Sequence, residues 1–241
     1  MEKSVYIRQI NYQKTHWWFE GRRNLIHSLF KKFLKNNNNL KILDFGCGSG
    51  TNINVLKKIG KVDAYEKDKK TRDYLSLKYK NISNVNIIKK IKPNVLYDVI
   101  LAADVIEHIK NDKKTIIFLK NKLKKKGTIL ITVPAYNFLF SKKDIILKHY
   151  RRYSFTSFRK LIQKKFEIQK ISFYNFFLFL PISIITIIFK LIKYDYIDKV
   201  EKTPHYLINK ILITILNFEN FLLKFIDFPF GVSILFVGKK K

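Results

Sequence analysis

Four short stretches of this chain carry the residues able to do chemistry. The first, KILDFGCGSGTN (41–52), closes an apolar run on Asp44 and continues with Gly46, Gly48 and Gly50. Glycines at alternate positions let a chain turn sharply after a strand and let a ligand approach the backbone. The spacing is G-x-G-x-G, not the G-x-G-x-x-G of dinucleotide sites. The second stretch, AADVIEHI, brings Asp104, Glu107 and His108 within one turn of each other, and the third, KHYRRY, supplies His149, Arg151, Arg152 and Tyr153. The fourth is HWWFEGRR, with Trp17, Arg22 and Arg23 near the N-terminus.

Charge decides what the glycine loop can hold. A carboxylate beside it repels a pyrophosphate and attracts a ligand bearing ammonium and sulfonium groups. S-adenosylmethionine meets that requirement. Glu66, at the end of the next apolar run, stands where an acidic residue accepts hydrogen bonds from ribose hydroxyls in related nucleoside sites.

Histidine titrates near neutrality and is a natural proton acceptor for a displacement that needs a positioned nucleophile. His108 is the first choice of base and His149 the second. The alternatives are that Asp104 caps a turn while His108 packs without proton chemistry, or that the carboxylates and histidines hold a divalent ion. The reading without a metal is preferred. Arg151 and Arg152 beside Tyr153 fit a phosphate or uronate grip equally with a solvated basic turn. Trp17 and Arg22 belong to a segment that either docks on the sheet or also closes over the site, with Arg22 or Arg23 meeting an acidic substrate group.

The elements that must position these residues alternate. Apolar, β-rich runs at 40–45, 62–65, 85–88, 97–103 and 128–133 are separated by helix-permissive stretches at 51–59, 69–79 and 112–125. Continuous apolar strands alternating with helices predict a doubly wound parallel sheet with its ligand at the carboxyl ends of the strands. The link between the third and fourth strands is short and contains Pro93, so its helix is expected to be missing or reduced to a turn. A helix and a sixth strand follow over SFTSFRKLIQKKFEIQKISFY.

The segments LDFGCGSG, YDVILAADVIEHI and GTILITVPAY resemble class I S-adenosylmethionine-dependent methyltransferases, in the usual order. HWWFEGRRNLI, LKHYRRYS and the closing FPFGVSILFVGKK are similar to a bacterial subgroup linked to cell-envelope glycan and lipid pathways. The resemblance implies an α/β, Rossmann-like seven-stranded sheet whose last strand, near 232–237, is antiparallel. The expected division is a core of 40–174 and 229–241, an N-terminal helical lid over 1–39 and, where such a methyltransferase would turn directly into its last strand, an apolar helical insert over 175–228. The resemblance also implies that Asp44, Gly46, Cys47, Gly48, Gly50, Glu66 and Asp104 contact S-adenosylmethionine. The family's acidic residue after the third strand is absent from NIIKKIKPN, leaving Ile87, Ile91 and backbone groups for the adenine.

Composition bounds the rest. The chain of 241 residues is 47% hydrophobic and 15% aromatic, which excludes a disordered chain. A net charge of +30 points to nucleic acid or an anionic membrane, yet Lys outnumbers Arg 41 to 7 and is scattered, as a coding bias would leave it. One cysteine excludes an internal disulfide. MEKSVYIRQINYQK lacks the apolar core of a signal peptide. Residues 171–189 carry no charge, but Pro181 is expected to break a helix there, and 205–226 repeats apolar residues at helical spacing. Membrane-surface association is favoured over a soluble cap or a true span. The chain is thus expected to methylate a small-molecule, lipid-linked glycan or polyprenoid acceptor, at the cytoplasmic membrane face as a peripheral protein. An RNA methyltransferase and a non-catalytic organiser of a membrane pathway are the alternatives. Nucleic acid is disfavoured because no RNA-binding module accompanies the charge. Oligomeric state is not legible.

Overall fold

The computed structural model describes residues 12–34, 39–192 and 203–241. Helix α1 (Trp17–Phe33) starts at His16, whose side chain accepts from the Trp18 N–H, and carries Glu20 in its first turn and Lys31 and Lys32 in its last, the arrangement that suits the helix dipole. Its inner stripe, Leu25, Ile26, Leu29 and Phe30, is buried in the core.

Strands β1 (Leu40–Phe45), β2 (Gly60–Tyr65), β3 (Val85–Ile88), β4 (Tyr97–Ala103), β5 (Leu123–Pro134), β6 (Phe166–Tyr174) and β7 (Ser233–Lys240) form one sheet in the order β3-β2-β1-β4-β5-β7-β6. β1 to β5 pair in parallel, and β7 runs antiparallel between β5 and β6. The seven-stranded sheet with its last strand antiparallel is therefore observed. β1, β4 and β5 read as unbroken apolar runs because both sheet faces are covered, and Ile42, Leu43, Val99, Ile100, Leu101, Ile129, Leu130 and Ile131 are fully buried. Chain order reverses between β1 and β4, so the crevice at their carboxyl ends is the switch point where doubly wound sheets bind ligands.

Between the strands lie α2 (Ile53–Leu56), α3 (Lys69–Lys78), α4 (Asp112–Lys122), α5 (Lys142–Ile146) and α6 (Phe155–Ile162). Residues 89–96 form no helix, so β3 reaches β4 through turns. Two of the boundaries that differ from the sequence reading stand out. The helix after the glycine loop is only four residues long, and β5 begins at Leu123, five residues before the apolar run, because exposed Lys124, Lys125 and Lys126 extend an edge that needs no burial.

β6 and β7 are separated by α7 (Phe179–Leu191) and α8 (Tyr206–Leu222). Pro181, expected to interrupt a helix, lies in the first turn of α7. An N–H there has no intrahelical acceptor, so proline costs nothing. No helix among the described residues is long and apolar enough to cross a membrane.

α1 and α8 pack closely because Gly21 faces Leu216. A Cβ on Gly21 would lie 2.3 Å from Leu216 Cδ1 and 2.9 Å from its Cβ. Asn220 Nδ2 donates to the Gly21 carbonyl at 3.1 Å, and Asn24 Nδ2 to Asn217 Oδ1 at 2.8 Å. Gly21→Ala must push the helices apart, and overpacking of this kind costs roughly 1–3 kcal/mol. Urea unfolding should show a lower midpoint for that variant, and an unchanged midpoint would contradict the packing.

Candidate functional site

The glycine loop follows β1 at the switch point. Gly46, Gly48 and Gly50 have φ of 73°, 53° and 74°, conformations that cost an L side chain about 1–2 kcal/mol. The surroundings differ. A Cβ on Gly46 would meet Val105 at 2.7 Å, whereas one on Gly48 would meet nothing within 4 Å. Gly46 is thus fixed by packing, while Gly48 borders open space that a ligand can occupy. The loop is anchored to β2 by the Gly46 and Cys47 N–H groups, which donate to the Tyr65 carbonyl at 2.9 and 3.0 Å. Cys47 is buried, and burial pushes its thiol pKa up, so its part in the site is its backbone.

Glu66 sits at the tip of β2. Its Oε2 accepts from the Gly48 N–H at 3.0 Å and its Oε1 from the Asp68 N–H at 2.9 Å. Asp44, at the tip of β1, is 1% exposed and its Oδ2 has no hydrogen-bond partner. Burial pushes the Asp44 carboxyl up to about 7, with Arg22 opposing and Glu66 adding to the rise. An unpartnered buried carboxylate oxygen beside a bare loop fits a ligand that supplies a positive charge or donor. The site thus has the shape and charge for S-adenosylmethionine.

Arg22 reaches this crevice from α1. Its guanidinium pairs with Asp104 Oδ2, and Asp104, held at φ 53° beyond β4, also accepts from Thr132 Oγ1 at 2.8 Å. Burial opposes the charge on Arg22, yet Asp104 outweighs it and the pKa is raised. Sequence reading expected Arg22 or Arg23 to meet a substrate acid. Arg22 instead meets an internal acid, and Arg23 donates to the Gln13 and Lys14 carbonyls at 2.8 and 2.6 Å. Gln13 in turn accepts from Ser49 Oγ of the glycine loop, so residue 13 lies against the cofactor crevice. The Trp17 N–H donates to Asn209 Oδ1 at 2.8 Å and its ring contacts His16 and Trp18. The Trp18 ring lies 6.1 Å from that of Tyr174.

The second cluster stands at the mouth, beyond β4 and β5. A 3-10 turn (Ile106–His108) buries Glu107 completely and leaves His108 exposed. The His108 and His149 rings meet edge to face with centroids 4.4 Å apart. Asp144, which no sequence signal singled out, organises this corner. Its Oδ1 lies 2.8 Å from His149 Nδ1 and 2.9 Å from Arg152 Nε, and its Oδ2 accepts from Arg152 Nη2 at 3.1 Å. Although burial pushes the Asp144 carboxyl upward, bonds from His149 and Arg152 hold it well below the usual carboxylate range. Burial and neighbouring His149 lower the His108 pKa, which keeps its ring neutral at pH 7.

The other cations and the phenol of HYRRYS are engaged internally. Arg151 pairs with Asp112 at 2.8 Å, and the Tyr153 hydroxyl donates to the same carboxylate at 3.0 Å. The sequence reading of these residues as a phosphate or uronate grip thus meets heads already paired with Asp112 and Asp144. Glu107 shows the opposite condition. Both its oxygens are buried without a partner, and burial, reinforced by Asp104, raises its pKa well above the ordinary value. Glu107, His108 and His149 offer ligand atoms within 4.8 Å of one another, a grouping able to hold a divalent cation.

Removing one partner from a buried pair costs roughly 3–5 kcal/mol. Asp144→Asn should lower stability by an amount in that range at pH 7. The depressed native pKa makes the contribution full above about pH 4, the ordinary carboxylate range, and lost on further acidification. Denaturant titrations at pH 7 and pH 3 check this, and an equal difference at both values would contradict it.

The fold agrees with comparisons to known proteins. The family model described as "Methyltransferase domain" matches residues 18–175. The ubiquinone biosynthesis O-methyltransferase of Rickettsia bellii is 28% identical over 121 residues, covering 46% of this chain and 49% of that protein, so the chain spans about half the length of the curated relatives it matches. A solved SAM-dependent methyltransferase from Archaeoglobus fulgidus superposes with a TM-score of 0.53 at 16% identity, covering 90% of this chain and 94% of that one. Coclaurine N-methyltransferase bound to N-methylheliamine and SAH gives 0.56 at 16% identity, covering 89% and 72%. From the buried acid beside the open glycine loop to the family match across both clusters, these findings place the chain in the methyltransferase-domain family.

Proposed function

We propose that this enzyme methylates a hydroxyl oxygen of an acceptor with an apolar portion, a lipid-linked glycan or polyprenoid intermediate, at the cytoplasmic face of a membrane. The observation carrying the reading is His108, exposed at the mouth, its ring edge to face with that of His149, which Asp144 holds at 2.8 Å, beside the acid-lined crevice. The O-methyl specificity leans on the printed name of the Rickettsia relatives. The acceptor's apolar portion is inferred from the exposed apolar residues of α7 and α8.

When bound, S-adenosylmethionine supplies a methyl group on a sulfonium whose leaving group is a neutral thioether. Asp44 would face the positive end of the cofactor, the Glu66 oxygens would take its ribose hydroxyls, and Gly48 would let it come close to the backbone. Arg22 pairs with Asp104 at the inner end of the crevice. The cofactor would supply the methyl group to the acceptor oxygen, and His108 would take the hydroxyl proton. His149, oriented by Asp144, holds the His108 ring edge-on. Arg151, Arg152 and Tyr153 serve this reading as positioning residues that fix the His149 loop, and Trp17 with Arg22 forms part of a lid.

One observation favours a second reading of the same corner. The partnerless Glu107 carboxylate with His108 and His149 could hold a divalent cation, which would supply Lewis acidity toward the acceptor oxygen. Chelator treatment separates the two, since proton transfer to His108 alone survives it.

Two outcomes follow. His108→Ala should slow transfer by about 10²–10⁴-fold with cofactor binding retained, while Asp44→Asn should abolish binding. Label from methyl-labelled cofactor should enter the envelope lipid fraction, and label in RNA, or an active His108→Ala enzyme, would contradict the proposal. The raised Asp44 pKa also sets a proton balance. A bound cation favours the carboxylate, so binding at pH 7 should release a fraction of a proton and tighten as pH rises from about 6 to 8. Calorimetry in buffers of different ionisation enthalpy measures this, and binding without proton release would contradict the role of Asp44.

A further inference from the structure

The side chains of α7 and α8 are arranged inside out. α8 buries Asn209, Glu219 and Asn220 with a single apolar residue, Leu216, and α7 buries only Ser183. Leu180, Ile184 and Leu191 of α7 and Leu207, Ile211 and Phe225 on or just after α8 stand outward, at 55–76% exposure. A helix at a water-facing surface shows the opposite polarity.

The inversion is built, because the polar side is consumed by bonds to the rest of the chain. Asn209 accepts from the Trp17 N–H at 2.8 Å and donates to the Thr15 carbonyl at 2.9 Å. Glu219 accepts from the backbone N–H groups of Asn175, Phe176 and Phe177. Asn220 donates to the Gly21 carbonyl. These contacts fix the rotation of α8, so its leucine, isoleucine and phenylalanine side chains cannot turn inward without stripping partners from a buried carboxylate and two amides.

Charge selects the occupant. Glu219 is the only carboxylate on the two helices and is buried, whereas Lys190 and Lys210 are exposed and Lys224 follows α8 half-buried. At 13 and 17 residues, the helices are about 20 and 26 Å long, short of the ~30 Å hydrocarbon core. A second copy of the chain would set these lysines against their own kind in a self-complementary contact. An anionic bilayer surface instead accepts the apolar face among its acyl chains and the lysines among its phosphates.

We propose that the outward faces of α7 and α8 form a docking surface for an anionic lipid bilayer, on which the chain lies without spanning it. The proposal deepens the acceptor reading above by naming the surface that brings the enzyme to a lipid-linked substrate, while its physical basis in exposure and charge stands apart from the acceptor's identity.

Flotation of the full chain with phosphatidylcholine vesicles, and with vesicles also containing phosphatidylglycerol, tests it without any activity measurement. The chain should float with the anionic vesicles, at least about tenfold more weakly with the neutral ones and in high salt, as expected when a few lysines each contribute roughly 1 kcal/mol. The double variant Ile184→Glu/Ile211→Glu, at exposed positions outside the cofactor site, should lose flotation while binding S-adenosylmethionine as the parent does. Failure to float with either vesicle would overturn the proposal. So would flotation unaffected by the double variant, which would assign binding to diffuse lysine charge. A vesicle-free dimer seen by light scattering and abolished by the same variant would give the surface to a second copy instead.

Discussion

The ion pair between Arg22 and Asp104 is the contact on which the site depends. Asp44, Glu66, Asp104 and Glu107 converge on the carboxyl ends of three adjacent strands, and three of them are largely withdrawn from water. Buried like charges raise one another's pKa and cannot all ionise unless a cation joins them. Arg22, brought in by α1, is that cation among the described residues of the crevice. It pairs with Asp104 but leaves Asp44 with one oxygen unpartnered. The remaining deficit of positive charge is what a sulfonium nucleoside supplies and a pyrophosphate nucleotide cannot.

Because the compensating cation rides on α1, the site inherits whatever holds α1 in place. That is largely α8, through Gly21 against Leu216 and the bonds of Asn24, Asn209 and Asn220. α8 therefore spends Asn209, Glu219 and Asn220 on the protein interior and presents mostly apolar residues outward, with Lys210, Thr214 and Asn217 among them. The same contacts that complete the cofactor crevice create the exposed hydrophobic surface.

Much of this was legible in the chain. β1, β3 and β4 have the bounds their apolar runs imply, since a strand buried on both faces leaves an unambiguous run, and the turn at Gly46, Gly48 and Gly50 is written in residue type. What was not legible depends on partners distant in sequence or space. Asp144 lies in an unremarkable KKD run, and only the fold turns it onto His149 and Arg152. A chain reading of HYRRYS sees free cations because it cannot see Asp112, some forty residues upstream. Periodicity in 205–226 reveals an apolar stripe but not which side meets the core, and in α8 it is the face of Asn209, Leu216, Glu219 and Asn220. Pro181 was misread because its effect is set by position within a helix, and the start of α7 follows from where β6 ends.

The claim that charge selects the cofactor is tested most directly by competition at the crevice. Labelled S-adenosylmethionine bound to the wild-type chain should be displaced by S-adenosylhomocysteine, which keeps the ammonium and adenosine, and left in place by excess NAD or ATP. Displacement by either phosphate-bearing nucleotide, at concentrations near those of S-adenosylhomocysteine, would contradict the electrostatic basis of the site.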